Sequence, residues 1–216
     1  STLVAFEREK PDAFVPALAT EWAESDDGLT YTFTLREGVT FHEGGTLEPH
    51  DVAYTFQRAL LEDRSGGPMW LYLSPILGTN TIASFALDQA GVELAEDEEP
   101  PALDELPAEA LAATCEAVQA AVRADDDAGT VTIRLARRTP WFLQLVSLPH
   151  AGILDQEWMA ENGDWDGSCT SWTRWHDPAA EDSPIFDQAN GTGPYRLGAW
   201  KKSESVTLDA WDGYWR

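Results

Sequence analysis

Positive charge is scarce in this sequence. Of its 216 residues, 14 are Lys or Arg and 38 are Asp or Glu, which gives a formal net charge of −24. A surface with so much negative charge repels phosphate backbones and anionic lipid headgroups. The charge balance therefore argues against a nucleic-acid partner and against a polybasic membrane-binding surface.

Long hydrophobic runs are also missing. No window approaches the roughly 18 consecutive apolar residues of a membrane-spanning helix. The start of the sequence has no basic, apolar leader, because Ser1 to Phe6 has the pattern of the interior of a strand. We therefore expect both ends to be cut and the chain to be a fragment of a longer protein.

Cysteine is rare, and its spacing leaves two alternatives open. Cys115 and Cys169 lie 54 positions apart, without a CxxC pair or a histidine at metal-binding spacing. Zinc binding by these cysteines is therefore not indicated. The two residues are either buried thiols or a disulfide, and a disulfide across so long a loop would contribute roughly 3–4 kcal/mol of stability.

Patterns typical of catalytic sites are also missing. The sequence has no GxSxG elbow, and its acidic residues do not single out a pair for glycoside hydrolysis. The four histidines do not pair at helical ligand spacing: they are His42, His50, His150 and His176. We predict no enzymatic activity, no metal site and no cofactor.

Apolar and aromatic residues are plentiful, with 43% hydrophobic residues, ten Trp and eight Phe, so the chain must bury a core. Alternation of apolar and polar residues predicts a hairpin over 18–36 and a strand over 130–135. Helical spacing predicts helices from Pro49 and over 110–123. A further hairpin is predicted in the last 26 residues. The fold class is therefore α/β, of the mixed α+β kind.

Tryptophan and acidic residues are unevenly distributed. Trp158, Trp165, Trp172 and Trp175 lie within eighteen residues, where they form either a small core under a long loop or a stacking surface for sugars. The core alternative is preferred. Other tryptophans in strand or helix patterns are predicted to be core residues: Trp22, Trp141, Trp200 and Trp211. Residues 93–109 are rich in acids and proline, and we predict a mobile insertion there.

An ordered series of segments resembles the family 5 extracellular solute-binding proteins, which are the oligopeptide-, dipeptide- and nickel-binding receptors of bacterial ABC importers. The series opens with Val15–Trp22, Ser25–Val39, Phe41–Gly44 and Asp51–Phe56. It continues with Thr130–Leu135, Thr139–Leu143, Gly191–Tyr195, Trp200 and the pair Tyr214–Trp215. The resemblance spans nearly the whole chain.

The resemblance implies the first lobe of a two-lobed periplasmic-binding-protein type II fold, a mixed β-sheet with flanking helices. Residues 15–190 would form a smaller subdomain, and 191–216 a hairpin of the neighbouring subdomain. It also implies a non-catalytic, monomeric receptor that passes a peptide or other small solute to a membrane permease. The location would be extracellular or periplasmic, with a lipid anchor in the full-length protein. A carbohydrate-binding or carbohydrate-active module using the Trp-rich segment is the alternative.

The resemblance also suggests site residues. Trp70 and Tyr72 lie in a stretch that approaches the cleft in peptide-binding relatives, although packing within the lobe would equally explain them. Asn190 and Thr192 are the polar candidates. An exported location further implies a disulfide between Cys115 and Cys169.

Overall fold

A four-stranded antiparallel sheet forms the centre of the computed structural model, which describes residues 1–8, 10–94 and 99–216. The strand order in this sheet is β3-β4-β6-β5, flanked in the sequence by two hairpins, β1-β2 and β7-β8. The strands are β1 (Val4–Glu7), β2 (Lys10–Pro16), β3 (Ala19–Glu24), β4 (Thr30–Leu35), β5 (Val122–Asp125), β6 (Thr130–Arg134), β7 (Tyr195–Lys201) and β8 (Ser205–Ala210).

Six α-helices accompany the sheets in the described part of the chain. They are α1 (Pro49–Glu62), α2 (Trp70–Leu77), α3 (Ile82–Ala90), α4 (Ala108–Ala121), α5 (Phe142–Leu145) and α6 (Gln156–Glu161). At the start of helix α1, the carboxylate of Asp51 accepts from the backbone N–H of Glu48 over 2.9 Å, and the N–H of Asp51 donates to the carbonyl of Glu48. Among the described residues, no helix combines the length and the apolar character that a bilayer crossing requires.

The alternating pattern of β4 and β6 produces a half-buried sheet, as predicted. Tyr31 pairs with Ile133 and Phe33 with Val131, and all four side chains are buried on the face that meets the helices. Thr32 and its partner on β6 lie on the other face, where only partial burial is needed. The predicted hairpins over 18–36 and in the last 26 residues are confirmed.

Two helical segments differ from the sequence-based expectation. The helix predicted over 110–123 ends at Ala121, because Val122 pairs with Ile133 and begins β5. This pairing buries a β-branched side chain, which favours a strand. Helix α3 was not predicted, although the hydroxyl of Thr81 caps it by accepting from the N–H of Ser84.

The Trp-rich segment forms part of the main core. Trp165 and Trp172 are each 1% exposed. Trp158 and Trp175 pack against the same core from its edge. The indole N–H of Trp172 donates to the carbonyl of Leu111 on α4 over 2.9 Å, which ties this irregular segment to a helix. The preferred alternative is right that these tryptophans are core residues and not a row of exposed indoles, but they belong to the main core and do not form a separate small one.

Two other tryptophans were wrongly predicted to be core residues. Trp141 is 54% exposed because it precedes α5, whose buried side chains are Phe142 and Leu145. Trp200 is 46% exposed on β7. The β7-β8 hairpin is a two-stranded sheet, and the described residues cover neither of its faces with a continuous layer.

The acidic segment 93–109 is described only in part, since residues 95–98 lie outside the described residues. Leu103–Glu105 forms a short 3-10 helix, Leu106 is buried against α3, and α4 begins at Ala108. The mobility of the insertion stays a prediction.

Candidate functional site

A cavity of about 630 Å³ opens beside the C-terminal half of α1. Its walls come from α1, the loop from α1 to α2, and two irregular segments over 149–154 and 185–191. Two of the lining residues are joined directly: the hydroxyl oxygen of Thr55 accepts from the N–H of Leu154 over 2.9 Å. Side chains around the cavity include Arg58, Glu62, Met69, His150, Gln188 and Asn190. A cavity with apolar walls and a few polar groups is suited to a small organic ligand.

The charge of Arg58 is compensated inside the protein. Its guanidinium donates two hydrogen bonds of 2.7 Å to the carboxylate of Asp164 and one of 2.6 Å to Glu62. Although burial opposes its charged form, these two carboxylates raise the pKa of Arg58. Burial also raises the pKa of Glu62, and Arg58 offsets only part of that effect. This ion-pair network therefore fixes the wall of the cavity.

Asn190 lines the cavity and also joins two loops. Its Oδ1 accepts from the backbone N–H of Glu43 over 2.9 Å, and its Nδ2 donates to Asp155 over 3.0 Å. Thr192 is 1% exposed, and its hydroxyl oxygen accepts from the backbone nitrogen of Ser1. The carbonyl of Thr192 accepts from the indole of Trp215. Asn190 thus reaches the cavity, whereas Thr192 lies behind it.

The two aromatic candidates have different positions. Trp70 is 54% exposed and lines a second hollow of about 590 Å³, which shares Arg64 and Gly67 with the first cavity. Tyr72 is 2% exposed, and its hydroxyl donates to the carbonyl of Leu145 over 2.8 Å. The contacts of Tyr72 are those of a packing residue, so the structure does not bring the four candidates together around one space.

Sequence reasoning did not find several residues of the cavity wall. Met69 stands directly before the candidate pair Trp70 and Tyr72, and this adjacency was the one available signal. His150 and Gln188 belong to irregular segments whose sequences carry no motif. Their position depends on contacts between distant parts of the chain.

A third feature is a cluster of possible metal ligands around His50. The side chains of His50, Asp51 and Glu157 place one ligand atom each within 4.8 Å of one another. Burial raises the pKa of Asp51 to about 6. The spacing of the histidines predicted no metal site. This cluster could not be found from spacing, because Glu157 lies 107 residues from His50 and only the tertiary fold joins them.

The predicted disulfide between Cys115 and Cys169 is confirmed, with the two Cα atoms 5.4 Å apart. It links α4 to the Trp-rich segment, close to the hydrogen bond between Trp172 and Leu111. A covalent link and a buried indole therefore fix the same part of the loop.

Two curated relatives are dipeptide-binding proteins. The dipeptide-binding protein of Pseudomonas aeruginosa is 50% identical over 64 residues, which are 27% of this chain and 12% of that protein. The dipeptide-binding protein DppE of Bacillus subtilis is 25% identical over 200 residues, which are 93% of this chain and 28% of that protein. The chain therefore spans less than a third of the length of either.

A solved structure shares the fold. The structure of OppA of Haemophilus influenzae in complex with RPPGFSPFR superimposes with a TM-score of 0.62 at 21% identity. The match covers 99% of this chain and 33% of that one. The described fold is thus part of a lobe of a type II periplasmic binding protein, as predicted.

The family model that matches is that of the bacterial extracellular solute-binding proteins, family 5 Middle, and it covers residues 13–216. Proteins of this family bind solutes outside the cytoplasm and are not enzymes. The match covers nearly the whole chain. The chain belongs to the bacterial extracellular solute-binding proteins of family 5.

Proposed function

We propose that this chain is part of the first lobe of a receptor that binds peptides and delivers them to the membrane permease of an ABC importer. The continuous family match over residues 13–216 carries this proposal. The names of two matched relatives, both dipeptide-binding proteins, support peptide as the solute. In this proposal the chain catalyses no reaction, binds no nucleic acid, and acts as a monomer.

The proposal includes an arrangement of subdomains and a location. Residues of about 15–190 would form the smaller subdomain, and 191–216 would contribute the β7-β8 hairpin to its neighbour. The full-length receptor would be held by a lipid anchor at the outer face of the cytoplasmic membrane. An extracellular location agrees with the disulfide, since such bonds persist in oxidising compartments.

Peptide contacts are proposed for the cavity beside α1 and for the hollow next to it. Asn190 reaches the first space and Trp70 the second, on either side of the loop that carries Arg64. Tyr72 and Thr192 would support these surfaces from inside the lobe, because both are buried and hydrogen-bonded there. An extended peptide backbone needs polar partners and apolar walls, and this surface offers both.

The carbohydrate alternative has little support. It required a platform of exposed indoles in the Trp-rich segment, but Trp165 and Trp172 are buried in the core. A sugar ring stacks on an accessible aromatic face. No observation on the described residues favours this alternative.

Solution NMR would test the proposed function. The ¹⁵N-labelled 216-residue chain would be titrated with tripeptides and, in parallel, with maltotriose and cellotriose. We expect tripeptides to shift the amides of Gly152 and Gly191 and the indole of Trp70. One lobe alone should bind with a Kd of about 1 mM, equivalent to about −4 kcal/mol. Shifts caused by the sugars alone, or none caused by tripeptides at about ten times that concentration, would overturn the proposal.

Trp70→Ala is expected to weaken tripeptide binding about tenfold, because an exposed indole at a binding surface contributes about 1–2 kcal/mol. Trp141→Ala is a matched control, since both indoles are 54% exposed and Trp141 lies outside the two hollows. The same NMR titration measures both variants. Equal loss of affinity in the two variants would contradict a specific contact of Trp70.

A further inference from the structure

His50 lies between carboxylates from three parts of the fold. Its Nδ1 is 3.1 Å from Oδ2 of Asp126, in the turn between β5 and β6. Its Nε2 is 3.1 Å from Oε1 of Glu157 on α6 and 3.9 Å from Oδ1 of Asp51, its neighbour on α1. Both ring nitrogens therefore face carboxylate oxygens.

This arrangement requires a cation beside the imidazole. A neutral imidazole has one N–H donor and one nitrogen lone pair, whereas ionised carboxylates only accept. If Nδ1 donates to Asp126, the lone pair of Nε2 points at the oxygens of Glu157 and Asp51. That contact is repulsive unless a proton or a metal ion lies between them.

The surrounding bonds hold His50 and Asp51 in place. Asp126 accepts from the backbone N–H of His50 over 3.0 Å as well as facing its ring. Asp51 accepts from the backbone N–H groups of Glu48 and Gln156 over 2.9 and 2.8 Å, and its side chain is 1% exposed. Glu157, with a side chain 67% exposed, can adjust its position. Two fixed groups and one adjustable group face the same point.

The charge around this point favours a cation. The cluster borders a cavity of about 400 Å³ whose described lining includes no Lys or Arg. Carboxylates line it on several sides, from Glu43, Glu48, Asp155, Glu157 and Glu161. The partial positive charge of the α1 N-terminus, roughly half an elementary charge, opposes a cation. Five carboxylates outweigh that effect.

We propose that His50, Asp51 and Glu157 bind a first-row divalent metal ion, with Zn²⁺ the best fit, and that Asp126 orients the imidazole. Ligand atoms about 2.0–2.1 Å from zinc in a tetrahedral site lie about 3.4 Å from one another. The separations of 3.1 and 3.9 Å from Nε2 of His50 bracket this value, and all three ligand atoms lie within 4.8 Å of one another. An imidazole with a carboxylate on its other nitrogen is the usual outer arrangement of a zinc ligand. Water would complete the four ligands.

Such an ion would connect the start of α1 to α6. Asp126 would add the β5-β6 turn through its two bonds to His50. Neither Trp70 nor Asn190 is among its ligands, although Asn190 is hydrogen-bonded to Glu43 and Asp155, which line the adjoining cavity. Its role would be to fix the relative position of these elements.

Calorimetric titration of the 216-residue chain with Zn²⁺, in competition with a chelator, would test the site. Outer carboxylates contribute about 10–100-fold in metal affinity, so Asp126→Asn is expected to weaken binding by that factor. His50→Ala removes a direct ligand and should weaken it by at least about 100-fold. His150→Ala is the matched control, an exposed histidine on another loop, and should bind as the wild type does.

A second readout does not depend on how well the variants fold. Co²⁺ added to the wild-type chain is expected to give the visible absorption bands of a four-coordinate site, and Zn²⁺ should abolish them. Equal Zn²⁺ affinity in the wild type and in His50→Ala would overturn the proposal, because the acidic surface alone would then explain binding. A wild-type chain that takes up neither ion would also overturn it and would identify the cation beside Nε2 as a proton.

Discussion

Arg58→Met is expected to lower the free energy of unfolding by about 3–5 kcal/mol. The side chain of Arg58 is 8% exposed and that of Asp164 is 2% exposed. Met approximates the length of the Arg stem but leaves the carboxylates of Asp164 and Glu62 without their cation. A buried charge without its partner is far more costly than a surface charge, because water cannot replace the lost interaction. Urea unfolding followed by tryptophan fluorescence measures the change.

Two further variants show whether this loss comes from buried charge. Arg123→Met removes an exposed Arg from β5 and should change the free energy of unfolding by less than about 0.5 kcal/mol. Arg58→Met combined with Asp164→Asn should recover part of the stability, since one uncompensated carboxylate is removed. The Asn side chain still accepts from the N–H of Trp165, as Asp164 does. A loss below about 1 kcal/mol for Arg58→Met would contradict the electrostatic account.

Local sequence pattern was sufficient to predict individual strands and the start of a helix. The alternation in 30–35 and 130–134 predicted β4 and β6, because one face of each strand is buried and the side-chain period is two. Pro49 and the acids around it predicted the start of α1. The same logic failed for Trp200, because alternation predicts a buried face only where another layer covers the strand. The hairpin of Trp200 has only two strands.

Contacts over long sequence distances could not be predicted. Arg58 and Asp164 are 106 residues apart, and neither belongs to a motif. Asn190 was selected as a ligand residue, but the sequence gave no sign that its amide joins the loops of Glu43 and Asp155. The cavity wall and the His50 cluster have the same origin. Each is made of ordinary polar residues whose proximity depends on the packing of α1 against segments between residues 149 and 191.

The prediction of the disulfide depended on a different kind of inference. The spacing of Cys115 and Cys169 left thiols and a bond equally open, and only the resemblance to exported receptors favoured the bond. The structure adds the physical reason that the two residues meet. Cys115 is buried on α4, and Trp172 attaches the segment around Cys169 to the same helix.

Replacement of both cysteines by Ala is expected to lower the free energy of unfolding by roughly 3–4 kcal/mol. The folded state should change little, because two hydrogen bonds keep the segment on α4. Trp172 donates to Leu111, and Gln119 donates to the carbonyl of Gly167 over 2.9 Å. The loss therefore comes mainly from the unfolded chain, in which the bond closes a loop across 54 positions. Urea unfolding under oxidising conditions measures it.

An effect on the unfolded chain has a signature that a loss of native contacts lacks. Without the bond the unfolded chain expands and exposes more surface, so the dependence of the unfolding free energy on urea should become steeper. The near-ultraviolet circular dichroism of Trp165 and Trp172 should stay unchanged, because both indoles remain buried. Reductant should lower the free energy of unfolding and steepen its dependence on urea in the wild type, and it should change neither in the double variant. An unchanged urea dependence together with a loss of the near-ultraviolet circular dichroism would place the effect in the folded state instead. The segment would then depend on the bond to stay on α4.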